Sequence, residues 1–154
     1  MKLSYNVIKA LQGRSLATAE SCTGGGIGSA LTAVHGSSAV YKGGIISYTN
    51  EIKTALLGVD PKILEQEGAV SAPVAEAMAR GAKKALSADI AVSSTGLAGP
   101  AGDDFGNPVG TVYIGYSDKC RTVSERYQFS GDREQVRREA IIAALRLILK
   151  YNKE

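Results

Sequence analysis

The sequence predicts an α/β sandwich built on a mixed sheet. Helix-like and strand-like segments alternate along most of the chain, which argues for parallel strands joined by helical crossovers. Near the C-terminal end two strand-like segments, Val109–Tyr116 and Thr122–Phe129, flank the turn-like Asp118-Lys119-Cys120, close enough to pair as an antiparallel hairpin. The length of 154 residues suits one domain, residues 1–154, around a single core.

The elements follow in order. Leu3–Gln12 places Leu3, Val7, Ile8 and Leu11 on one helical face and stops near Gly13. Ser15–Ala19 is a short strand. Glu20-Ser21-Cys22-Thr23-Gly24-Gly25-Gly26 is a polar, glycine-rich loop that opens a helix, Ile27–Val34. Strand, glycine loop and helix in that order suit an anion, because free N–H groups at a helix start point outward; plain capping is the alternative. The spacing is neither GxGxxG nor a Walker loop. Gly44–Tyr48 reads as a buried strand and Asn50 as the cap of a helix, Glu51–Leu57, closed by Gly58. Asp60-Pro61 opens the next helix, which ends at Gly68. Ser71-Ala72-Pro73 opens an alanine-rich helix to Leu86, whose small residues suit close packing on a sheet. The strand Asp89–Ser94 runs into a second glycine loop, Thr95-Gly96-Leu97-Ala98-Gly99-Pro100-Ala101-Gly102. The final helix runs from Arg133 to Tyr151, with a capping box between Asp132 and Gln135 and a core stripe of Ile141, Ala144, Leu145, Ile148 and Leu149.

Composition narrows the function. Apolar residues make up 44% and charged residues 21%, the balance of a soluble globular protein. No apolar run reaches membrane-spanning length and the N-terminus lacks a signal-like apolar stretch, so a cytoplasmic protein with no membrane partner is expected. Cys22 and Cys120 fit reduced thiols, with a disulfide between them as the alternative. A net charge of +3 is too mild to mark a nucleic-acid binder, and Arg133, Arg137 and Arg138 on one helix also read as a solvated face. One histidine, His35, and no C-x-x-C motif leave a catalytic metal site without support, and no cofactor is expected.

The richest stretch is Gly36–Lys53, which sets Ser37, Ser38, Tyr48, Asn50 and Lys53 around a short apolar run. With no histidine base well placed, a nucleophilic serine would need lysine. Lys53 falls in a first helical turn, where the helix dipole and burial both disfavour an ammonium; an exposed lysine is the bland alternative. Ser37 and Ser38 also suit an ordinary turn. Arg133, at the positive end of a helix, needs an offset, which a bound phosphate or Asp132 would supply.

Taken together, Ala19-Glu20-Ser21-Cys22-Thr23-Gly24-Gly25, Gly36-Ser37-Ser38, Gly44 to Lys53, Leu57-Gly58-Val59, Gly68-Ala69-Val70-Ser71, Ser94 to Pro100, Pro108-Val109-Gly110-Thr111-Val112 and Gly131-Asp132-Arg133 resemble the CinA C-terminal domain family, in order and at family-like spacing. The resemblance implies a three-layer α/β/α sandwich with a mixed, mostly parallel sheet. It implies nicotinamide mononucleotide (NMN) deamidase activity in the stand-alone form, without the additional N-terminal domain of longer members, and a homo-oligomer, a dimer being expected. It implies a serine–lysine mechanism with no metal. Matched by position, Ser38 is the nucleophile, Lys53 its base, and Tyr48 and Thr95 the supporting hydroxyls. The substrate would be held by Glu20, Ser21, Thr23, Gly24, Gly25, Gly96, Ala98, Gly99, Arg133 and Arg137. A catalytically silent nucleotide-binding module of the same family is the alternative function.

Overall fold

The computed structural model describes residues 2–152. Its centre is a five-stranded sheet in the order β2-β1-β3-β4-β5, formed by β1 (Leu16–Glu20), β2 (Tyr41–Ile46), β3 (Ile90–Gly96), β4 (Thr111–Ser117) and β5 (Thr122–Gln128). β1 pairs in parallel with β2 and β3, while β4 runs antiparallel to both its neighbours. The hairpin read from the sequence is β4–β5, and β4 is the strand that makes the sheet mixed.

Helices cover both faces. On one lie α1 (Lys2–Ala10), α2 (Gly26–Thr32) and α6 (Arg133–Tyr151), packed through Val7, Leu11, Ile27, Leu31, Leu145 and Ile148 onto Leu16, Ile90, Val92 and Ile114. On the other lie α3 (Asn50–Leu57), α4 (Pro61–Glu67) and α5 (Ala72–Ala85), where Leu57, Leu64, Val74, Met78 and Ala82 meet Ala17, Ala19 and Ala91. Each large apolar side chain buried this way contributes about 1.5–3 kcal/mol, so the two cores supply most of the drive to fold. The small residues of α5 let it lie close. The Ser93 hydroxyl on β3 donates to the Ala75 carbonyl at 2.6 Å, and a Cβ on Gly115 would run into that same Ala75 backbone.

The alternation along β1 decides what faces where. Leu16, Thr18 and Glu20 point to the α1/α2/α6 layer; Ala17 and Ala19 point to the α3/α4/α5 layer. From β1 the chain crosses by α2 to β2 on one side. It then returns by α3, α4 and α5 to β3 on the other side. The carboxyl ends of β1 and β3 therefore lie side by side where the connections diverge, the position at which open α/β sheets form a ligand crevice.

Two local expectations are corrected. The strand expected at Gly44–Tyr48 is Tyr41–Ile46, leaving Ser47 and Tyr48 beyond its end. The cap of α3 is Thr49 rather than Asn50: its hydroxyl accepts from the Ile52 amide at 3.3 Å, and Asn50 begins the helix. The α6 capping box forms as expected, with the Asp132 carboxylate accepting from the Gln135 amide at 2.9 Å. Asp60 caps α4 with Pro61 at its first turn.

Candidate active site

At the carboxyl ends of β1 and β3 lies a cleft of about 590 Å³, a volume suited to a nucleotide-sized ligand. Ser21 and Cys22 follow β1 into it, Gly96 to Phe105 follow β3, Lys53 enters from α3, and Arg133 closes it from the start of α6.

Lys53 is the cleft's most unusual group. Only 1% of its surface is exposed, among the largest fully buried side chains of the described residues. Its Nζ lies 3.1 Å from Ser21 Oγ and 3.2 Å from the Tyr48 carbonyl oxygen. Neither partner is an anion, and burial, only partly opposed by the nearby Cys22, brings the ammonium down from 10.5 to about 8. A neutral amine keeps one N–H for the Tyr48 carbonyl and offers its lone pair to the Ser21 hydroxyl. This is the arrangement of a serine activated by a lysine base.

Ser21 occupies the first position past β1, where its amide donates to the Ser94 carbonyl at 3.0 Å. The next residues form a tight turn: the Gly24 amide returns to the Ser21 carbonyl at 3.1 Å, and Gly24 and Gly25 both take positive φ. Cys22 lines the cleft as well, but burial pushes its thiol up to about 11, so it is no thiolate at neutral pH and does not compete as nucleophile.

The structure separates the expected site residues into groups. Ser21, Lys53, Tyr48, Thr95, Gly96, Ala98, Gly99 and Arg133 share the cleft. The Thr95 hydroxyl donates to the Ala69 carbonyl at 2.8 Å, which ties β3 to the loop before α5. The Tyr48 ring is 60% exposed and its hydroxyl accepts from Arg133 Nη2 at 3.2 Å, while Arg133 Nη1 donates to the Gly99 carbonyl at 2.7 Å. Both of these Arg133 partners are neutral groups at the mouth of the cleft.

Ser38 is not brought to Lys53. It sits exposed in the single 3₁₀ turn Ser37–Ala39, before the opposite end of β2. The six residues of β2 alone span about 20 Å, so a Ser38–Lys53 pair cannot form in this fold. The hydroxyl that meets the lysine is Ser21, which the sequence reading placed among the substrate-binding residues. The signal that could have found it is its place in the polar glycine-rich loop that follows a strand and opens a helix.

Glu20, Thr23, Gly24, Gly25 and Arg137 also lie outside the cleft. Glu20 is 2% exposed and turned toward α2: one carboxylate oxygen accepts from the Ile27 amide at 2.8 Å and from the Thr23 hydroxyl at 2.6 Å, the other from the Gly28 amide at 3.0 Å. The helix start that suited an external anion is satisfied by this internal carboxylate. Thr23 is fully buried, its hydroxyl also 2.6 Å from Ser94 Oγ. Gly24, Gly25 and Arg137 line a separate groove between α2 and α6.

On the far wall, the sequence reading had the second glycine loop as far as Gly102 but not Val70 or Asp103–Phe105. Val70 and the loop Pro100–Phe105 line the cleft too. The loop is shaped by the Asp103 carboxylate, which accepts from the Phe105 and Asn107 amides, each at 3.1 Å, and from the Asn107 side chain at 2.8 Å. Its turn chemistry was visible as a polar stretch, but nothing local showed that it folds back over the site. Among the described residues no group of three or more His, Cys, Asp or Glu side chains could hold a metal ion, and no helix is long and apolar enough to cross a membrane.

The fold and cleft define a three-layer α/β/α protein carrying a buried serine–lysine pair at the crevice of a mixed sheet. The CinA C-terminal domain model matches residues 1–152, and the chain belongs to that family. It is 52% identical over 137 residues to the nicotinamide-nucleotide amidohydrolase PncC of Pseudomonas putida, covering 89% of this chain and 86% of that protein. It is 48% identical over 139 residues to a CinA-like protein of Geobacter sp. (strain M21), covering 90% of this chain but 34% of the longer protein. The chain therefore spans about a third of the length of such CinA-like relatives. The crystal structure of the competence damage-inducible protein A (ComA) from Klebsiella pneumoniae subsp. pneumoniae MGH 78578 superposes with a TM-score of 0.95 at 35% identity, over 98% of this chain and 95% of that one. The competence/damage inducible protein CihA from Agrobacterium tumefaciens matches at 0.95 and 36% identity, over 99% and 94%.

Proposed function

We propose that this chain is an amide hydrolase that converts the carboxamide of NMN to nicotinate mononucleotide and ammonia, with Ser21 as nucleophile and Lys53 as base. The observation that carries the mechanism is the buried Lys53 amine 3.1 Å from Ser21 Oγ at the floor of an open cleft. The substrate assignment rests on the likeness to the P. putida amidohydrolase, which covers most of both chains.

Neutral Lys53 takes the Ser21 proton as Oγ attacks the carboxamide carbon, and the carbonyl π electrons move to oxygen. The Cys22 and Thr23 amides, at the start of the turn after Ser21, are the donors nearest in sequence for that oxyanion. The Lys53 ammonium returns a proton to the amide nitrogen, the C–N bond breaks and ammonia leaves. Water then attacks the acyl-enzyme with Lys53 again as base, releasing the carboxylate and restoring Ser21. Thr95 and Tyr48 shape the pocket, and Arg133 at the mouth supplies positive charge for the 5′-phosphate. We place the reaction in the cytoplasm, in keeping with the free thiols of Cys22 and Cys120, and expect a homodimer.

Ammonia release from NMN tests the reading. Ser21→Ala should lose at least about 10³-fold in kcat, whereas Ser38→Ala should stay within about twofold of the parent. Full activity in Ser21→Ala ends the assignment. A parent protein that binds NMN but releases no ammonia is instead the silent nucleotide-binding module.

A further inference from the structure

We infer that Arg137 is a positioning residue that sets the peptide planes of the nucleophile turn, so that it acts on turnover without touching substrate; this rests on the serine–lysine reading above. Arg137 projects from α6 into the groove behind the cleft. Its Nε donates to the Cys22 carbonyl at 3.0 Å and its Nη2 reaches the Thr23 carbonyl at 3.4 Å. These carbonyls belong to the two peptide units that follow Cys22 and Thr23. In a trans peptide the C=O and N–H point in opposite directions. Drawing the Cys22 carbonyl outward to the guanidinium therefore turns the Thr23 N–H inward, away from the groove. The second contact helps hold the Thr23 carbonyl, whose peptide carries the Gly24 N–H that closes the turn onto the Ser21 carbonyl at 3.1 Å.

The packing shows that the contact is built in. A Cβ on Gly24 would lie 3.1 Å from Arg137 Nη2, and one on Gly26 would run into Ile141 of the same helix, so α6 presses directly on the turn. From inside, the Glu20 carboxylate grips the Thr23 hydroxyl and the amides of Ile27 and Gly28. The turn is thus clamped from both sides, and Arg137 is the clamp on its outer side. Its neighbour Arg138 is exposed and pairs with exposed Glu134 at 3.5 Å, which makes it the natural control.

The test measures kcat and KM for NMN in Arg137→Ala, Arg137→Lys and Arg138→Ala, with and without added guanidinium chloride at low millimolar concentration. Arg137→Ala should lose about 10- to 100-fold in kcat with KM within about threefold, less than the loss of a whole oxyanion donor. Guanidinium should restore part of that loss, and Arg137→Lys, which reaches one carbonyl, should fall between. Arg138→Ala should match the parent. A rise in KM at unchanged kcat would make Arg137 a substrate ligand and overturn the inference, as would unchanged kinetics. A second readout needs no knowledge of the natural substrate: the rate at which a fluorophosphonate labels Ser21. There the Oγ–P bond forms, the P–F bond breaks, fluoride leaves and the hydroxyl proton passes to Lys53. Labelling should slow about 10-fold or more in Arg137→Ala and recover with guanidinium. A parent that labels normally but ignores NMN overturns the substrate assignment alone, and equal labelling of parent and both Arg137 variants overturns the positioning role alone. If Arg137→Ala does not fold, an Arg137→Lys protein with parental labelling rate overturns it as well.

Discussion

Lys53, the proposed base, also carries a cost. Its folded-state value, about 8, lies below the 10.5 of an unhindered lysine. Above pH 10.5 the amine is neutral folded or unfolded and the burial costs nothing extra. Between 10.5 and about 8 the unfolded chain binds a proton that the folded chain refuses, so stability falls as pH drops. Below about 8 the full penalty, about 3 kcal/mol, is in place. Two outcomes follow. The kcat/KM for NMN should rise with pH along a limb centred near 8, because only the neutral amine accepts the Ser21 proton. Lys53→Met should abolish ammonia release yet raise the melting temperature at pH 7 by roughly 5–10 °C, a gain that shrinks by pH 10. A Lys53→Met protein less stable than its parent at pH 7 would sink the buried-charge account. The place of Lys53 in a first helical turn was legible in the sequence, where its burial was one of two alternatives and its role as base came from the family resemblance. Its partner was misassigned: Ser38 precedes β2 and Lys53 follows it, so the chain order already sets them at opposite ends of that strand, and the choice of Ser38 came from the family resemblance.

At the scale of elements, the start of α2 is the instructive case. A glycine turn opening a helix has the form of an anion site, yet the anion is Glu20 of the preceding strand. The two-residue alternation of β1 explains it: with Ala17 and Ala19 on the α5 face, Glu20 must face α2, and Ser21 follows them toward Lys53. One strand end thus sends a cap to one layer and the proposed nucleophile to the other. Glu20→Gln should destabilise the fold by about 1–3 kcal/mol, since an amide NH₂ would face a backbone donor, and should cost kcat by loosening the turn beyond Ser21. Urea denaturation with parallel kinetics checks both; unchanged stability would mean that the carboxylate is not the cap. The helices and the hairpin were readable because periodicity and capping residues are local signals. The length of β1 was not: ending it at Ala19 hid the direction of Glu20.

For the molecule as a whole, the cleft gathers segments far apart in sequence: Ser21, Lys53, the loop through Phe105, and Arg133. A ligand that bridges them should stabilise the entire fold. Nicotinate mononucleotide at about 100 times its Kd should add about 2.7 kcal/mol to the unfolding free energy. Arg133→Ala should erase the advantage of the nucleotide over its phosphate-free riboside in the same melting experiment. Equal shifts for both ligands in the parent would remove Arg133 from phosphate recognition. The sandwich itself was legible from the alternation of elements, whereas the cleft's far wall depends on how a loop after β3 returns across it, a long-range matter that no local pattern encodes.

Arg133 and Arg137 stand one turn apart on α6, the first reaching the mouth of the cleft and the second the back of the nucleophile turn. α6 follows every other described element in the chain. During synthesis Ser21 and Lys53 emerge early, and α6 emerges last. The turn beyond Ser21 gains its outer grip only when the last helix docks. A growing chain therefore carries the proposed nucleophile and base well before α6 is made, and the arrival of that one helix adds both its share of the core and the outer grip on the turn.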